Sequence, residues 1–267
     1  MKLVIEKYNL LVKKYQKIEK DSTENEIHEK RVILRKIFPI LDAYKIKPVK
    51  VKNGEKAFKL FGELRDIQVQ IIKLKSMEQT PEVAEYLNYL KYKELDVNGD
   101  VRAFCRREKI GFPQIKSKSD IDKVKTIKKA EKSVARINKK TQSETVNNPK
   151  DIHRIRIEFK KFRYLMDILS NLTFVDKKKL ENIRNYQDKL GEIQDYRVLI
   201  ADYKSFCKKK RLKKHIIIDI LEKNQHTLIE EFVQNKDAFM AVCNDAISFK
   251  IVLATKNDES AEFKNNK

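Results

Sequence analysis

The chain has 267 residues, with 60 Lys and Arg against 39 Asp and Glu, a formal net charge of +21, and only five Gly and five Pro. So few breakers argue against a turn-rich β fold and predict long helices, and the length is comfortable for two helical bundles. The positive field attracts polyanions and repels basic proteins without saying which polyanion is bound.

Apolar residues at Leu3, Val4, Tyr8, Leu11, Val12 and Tyr15 recur with a helical period and predict an opening helix that ends near Asp21. Thr23 followed by Glu26 is a capping-box pattern, so a second helix starts there and runs into the forties, with Pro39 kinking or ending it. Asn53 and Gly54 mark a turn before a helix holding FKLFGELRDIQVQIIKL, and Thr80-Pro81 opens the next. Gly99, Gly111, Pro113 and a serine-lysine run make 98–120 the expected joint between two halves. The second half opens around Ile121 with a helix patterned like the first. A polar loop from Thr141 to Asn148 follows, and Pro149 suits the first turn of the next helix. Further helices are expected over 176–208, 212–234 and 236–254, and the last dozen residues read as a disordered tail. The resulting plan is a first helical-bundle repeat over 1–112, a second over 113–255, and a tail over 256–267.

Cys105, Cys207 and Cys243 are odd in number and lack C-x-x-C spacing, which predicts free thiols in a reducing compartment and no metal site. Glu6 and the lysines around it interrupt any signal core, and no run nears the roughly 18 apolar residues of a membrane span. A soluble, cytoplasmic protein is the expectation.

Two strings occur twice. IHEKRVILRKIF holds His28, Arg31, Arg35 and Lys36; IHRIRIEFKKFRY holds His153, Arg156, Lys160, Lys161 and Arg163. Each is followed downstream by a glycine motif, GELRDIQV from Gly62 and GEIQDYRV from Gly191. At 100° per residue His153, Arg156, Lys160 and Arg163 share an arc of about 80° on one helix. His28, Arg31 and Arg35 occupy the same arc in the first copy, where Phe38 stands in place of Arg163. With Thr23 and Asn148 as N-caps, each histidine lies five residues past its cap. The helix of the second stripe is apolar around most of its circumference, so its cations should face an internal groove and an anion that neutralises them. The plainer reading pairs the stripes with Asp66 and Asp195; in register twice, on so basic a chain, anion binding is favoured. Gly62 and Gly191 sit inside expected helices, where each costs about 1 kcal/mol relative to Ala, and a close backbone approach by the histidine helix would account for them. Asp66 and Asp195, one turn later, then orient Arg and His side chains without acting as catalytic acids. His215, after KKKRLKK, enlarges a basic rim or is simply solvated.

The string H-x-x-R-x-x-x-K-K-x-R-Y and the paired glycine motifs resemble the CHAD family, the conserved histidine α-helical domain, over nearly the whole chain. The resemblance implies an all-α fold of two four-helix bundles related by a pseudo-twofold axis, with a basic groove or channel between them that binds inorganic polyphosphate. It also implies a binding module, not an enzyme, associated with polyphosphate granules in some relatives and fused to a triphosphatase domain in others. Carried over, the polyphosphate contacts are His28, Arg31, Arg35, Lys36, His153, Arg156, Lys160, Lys161 and Arg163, with Arg65 and Arg184 ranking lower. Phe38 departs from the family's arginine and Gln68 from its usual aspartate. Sulfate or phosphate would be natural occupants of such a site in a crystal.

Two other classes compete. A phosphohydrolase or a triphosphatase accessory subunit lacks support from any P-loop, clustered carboxylates for Mg²⁺ or E-x-E-x-K string. Non-specific nucleic-acid binding is permitted by charge, but the chain has no Trp and its aromatics fall on core faces. No cofactor and no metal are expected.

Overall fold

A computed structural model describes residues 2–18, 23–47, 51–115, 121–142, 147–172, 175–211 and 216–248. His215 and the tail at 256–267 lie outside the described residues. Within them the protein is all-helical, with no strand and one isolated bridge between Lys52 and Gly111. The helices are α1 (Lys2–Lys17), α2 (Glu24–Ala43), α3 (Gly54–Lys75), α4 (Pro81–Arg107), α5 (Lys123–Thr141), α6 (Pro149–Leu169), α7 (Lys177–Lys210), α8 (Ile216–Gln234) and α9 (Lys236–Ile247).

Two compact units form, one from Met1–Ile121 and Asp195–His226, the other from Asp122–Gln194 and Thr227–Lys267. This division differs from a boundary at 112 in that α7 and α8 each contribute to both units. In the first unit α2 packs on α1 and α3, and α3 on α4. Its core joins Leu34, Phe61, Ile67, Tyr86 and Val101 with Leu199 and Tyr203 of α7. In the second, α5 packs on α6 and α9, around Ile155, Phe159, Phe162, Ile183, Leu190 and Phe239. No single apolar stripe runs along α7, because its two ends serve different cores.

Local chemistry starts the helices where the sequence places them. The Thr23 backbone N–H donates to Glu26 Oε2 at 2.6 Å, and Glu26 N–H donates to Thr23 Oγ1 at 3.3 Å, a complete capping box. Asn148 Oδ1 accepts from Lys150 N–H at 2.8 Å, with Pro149 in the first turn, where its missing N–H costs nothing. Asn53 takes the left-handed conformation, φ 59°, just before α3. A side chain at Gly54 would collide with Val51 in that tight turn.

α2 runs into the forties as expected, continuing past Pro39 to Ala43. One expectation needs correction. The stretch from Asn98 is not loop: α4 runs through Gly99 to Arg107, carried by buried Val97, Val101, Phe104 and Cys105. After it the chain folds back on the α3 entry turn, where Asn53 Nδ2 donates to Glu108 Oε2 at 2.7 Å and Gly111 N–H to the Lys52 carbonyl at 3.2 Å. All three cysteines are free and buried, and no helix among the described residues is long and apolar enough to cross a membrane.

Candidate anion-binding site

In α6 Ile152, Ile155, Phe159 and Phe162 are buried, and His153, Arg156, Lys160 and Arg163 each follow one of them by a single residue. A step of 100° sets this second row at the border of the buried face. All four are accordingly half-buried. The same register governs α2, where Ile27, Lys30, Leu34 and Ile37 are buried and His28, Arg31, Arg35 and Phe38 follow.

In the first unit α2 and α3 assemble a cluster of cations. Partial burial, then Arg65 of α3, then Arg31 and Arg35 of α2, hold the His28 imidazole below its ordinary pKa. Arg31 lies beside Gly62, where a Cβ would stand 3.9 Å from its Nε and Nη2. Its guanidinium carbon is 5.9 Å from the Phe58 ring centre. Phe38 meets the same Phe58 edge-on at 5.5 Å, so the place that Arg163 holds in the second copy serves aromatic packing in the first. Lys36 is exposed on the flank of the stripe.

In the second unit His153 Nδ1 lies 2.6 Å from Gln194 Oε1, an oxygen that can only accept, so Nδ1 carries the hydrogen of this contact. Arg163 Nη1 is 3.5 Å from Asp167 Oδ2, while its Nε is buried without a hydrogen bond among the described residues. Its guanidinium carbon lies 4.9 Å from the Tyr164 ring centre and Lys160 Nζ 5.8 Å from the same ring. Lys161 lies off the stripe, 3.0 Å from Glu158 on its own helix. Arg184 is exposed on α7, about two turns before Gly191.

The glycine motifs behave differently from the expectation of close backbone packing. Beside Gly62 the near atoms belong to the Arg31 side chain, and at Gly191 no described atom beyond its own turn of helix lies within 4 Å of where a Cβ would stand. Asp66 is exposed and Asp195 half-buried. Gln194 was not singled out from sequence, although aligning the two glycine motifs sets it against Arg65. Each histidine is thus served by the same position of the repeat, by a cation in one copy and an amide in the other.

A helical protein whose duplicated helices each present a histidine-led row of half-buried cations is the class defined by this fold and site. The chain belongs to the CHAD domain family, whose model matches residues 9–201. A crystal structure of the CHAD domain from the plant Ricinus communis is similar in fold, with a TM-score of 0.52 and 12% identity, over 83% of this chain and 82% of that one. The comparison with curated proteins finds no match.

Proposed function

We propose that this protein binds inorganic polyphosphate without transforming it. The contacts are His28, Arg31, Arg35 and Arg65 in one unit and His153, Arg156, Lys160 and Arg163 in the other, with Lys36, Lys161 and Arg184 contributing from the flanks. The observation that carries this reading is repetition: the same histidine and cation spacing, five residues past a formed helix cap, occurs twice on a chain of net charge +21. Each stripe belongs to one copy of a duplicated four-helix design. Arginine grips phosphate oxygens in a fork and lysine acts as a point charge, so a linear anion with a charge at every phosphate suits such rows. No catalytic group, metal or cofactor is needed, and association with cytoplasmic polyphosphate granules follows from the same chemistry.

Calorimetry with polyphosphate tests the assignment. Arg156→Glu with Lys160→Glu should reduce affinity severely, leave helicity by circular dichroism unchanged, and release no phosphate in either protein. An unchanged affinity would remove the site. Displacement of labelled polyphosphate by duplex DNA at equal phosphate concentration would instead mean indiscriminate polyanion binding.

A further inference from the structure

Lys30 is a further break in the pattern of the duplication. Aligning His28 with His153 sets Lys30 opposite Ile155, a fully buried residue of α6. Lys30 is buried as well, at 4% exposure, and lies about 200° around α2 from His28, turned away from the cation stripe. It stands close enough to Cys105, which is 8% exposed near the end of α4, to draw that thiol's pKa down by charge and hydrogen bonding. Both side chains line a cavity of about 270 Å³ together with Tyr15, Phe104 and Glu108. A buried ammonium is costly where an isoleucine would serve, so its placement against a thiol calls for a role.

We propose that Lys30 and Cys105 form a covalent modification site, joined through a single oxygen as an N–O–S bridge when the protein meets a peroxide. The Cys105 thiolate attacks one peroxide oxygen, the O–O bond breaks, and water leaves a sulfenic acid on sulfur. A second peroxide accepts two electrons as the Lys30 nitrogen bonds to the sulfenic oxygen, and the N–H and O–H protons depart in water. In sum, one thiol, one amine and two peroxides give one bridge and three waters. A thiol reductant supplies four electrons to restore thiol, amine and one water.

The setting favours Cys105 over Cys243. Burial pushes its thiol up, but the Lys30 contact pulls it back, so the neighbour that completes the bridge also stabilises the thiolate that starts it. Burial alone pushes Cys243 up to about 12. The cavity offers a molecule the size of peroxide a route to the pair, and the bridge would tie α2 to α4.

Peptide mass mapping of the full chain after peroxide treatment is the test. The expected product joins the α2 peptide holding Lys30 to the α4 peptide holding Cys105, with one oxygen gained and two hydrogens lost. Dithiothreitol should separate the two peptides and restore their native masses. Lys30→Met keeps the stem, resembles the apolar residue of the second copy, and should abolish the joined product while the protein stays folded by circular dichroism. Lys30→Arg, which keeps the charge, should abolish it too. Cys105 found as sulfinic or sulfonic acid with Lys30 unmodified, or joined peptides that persist in Lys30→Met, would overturn the proposal. Peptides joined through another pair would do the same. None of these outcomes depends on polyphosphate binding.

Discussion

His28 is the residue whose chemistry is most open to measurement. Its pKa is held below the ordinary 6.5 by partial burial and by Arg65, Arg31 and Arg35, so the folded protein takes up a proton less readily than the unfolded chain. The sign follows: stability is complete above the ordinary imidazole value and declines as pH falls through it toward the lower folded value. His28→Gln should flatten that decline, read as urea midpoints at neutral and mildly acid pH; an unaltered decline would place its cause elsewhere. A bound polyanion reverses the local field, so polyphosphate should raise the His28 pKa in an NMR titration, with proton uptake on binding. Two glycines give opposite expectations. Gly191→Ala meets open space in a helix and should stabilise by about 0.5–1 kcal/mol. Gly54→Ala meets Val51 in a tight turn and should destabilise by roughly 1–3 kcal/mol. Thermal melts of both variants check the pair, and a Gly191→Ala protein that gains stability but loses polyphosphate affinity would place the ligand over that helix.

At the scale of the element, α2 and α6 owe their registers to their caps. Thr23→Ala removes the side-chain half of the capping box and should cost about 1 kcal/mol, and Asn148→Ala should cost a similar amount by the same loss. Denaturant titration checks both, with no change in either variant being the adverse result. Glu26 adds its own pH dependence. Hydrogen bonds from Thr23 hold its carboxyl below the usual range, so its contribution is present above that range and fades as pH drops through the lower folded value. That window lies below the histidine window, which lets the two be separated. α7 behaves differently: with two cores to serve, its sequence carries no one apolar face to read.

For the whole molecule, the excess of 21 positive charges predicts a steep dependence on salt. Each phosphate contact should release condensed counterions, with a slope of log K against log salt of roughly −0.7 per contact, taking single-stranded nucleic acid as the guide. Five to nine contacts then give about −3.5 to −6 by titration at several salt concentrations. A slope near zero would mean that the cation rows are not the binding surface. A slope that persists unchanged in Arg156→Glu with Lys160→Glu would move the contacts to other lysines.

By itself the sequence determined the helical class, the helix starts at Thr23, Thr80 and Asn148, and the rows led by His28 and His153. Those features are local: cap chemistry, a period of 3.6 and a spacing repeated in the chain need no knowledge of what packs where. Only the tertiary structure decided what meets these rows. It set Arg65 beside one histidine and Gln194 beside the other, Arg31 over Gly62, and open space around Gly191. It also carried α4 through Gly99, where buried neighbours outweigh the helix cost of glycine, and divided α7 between two cores. The pairing of Lys30 with Cys105 joins residues 75 positions apart in sequence. Such contacts depend on which helices become neighbours, and neighbours are chosen by the burial of whole faces, a property that no short string contains.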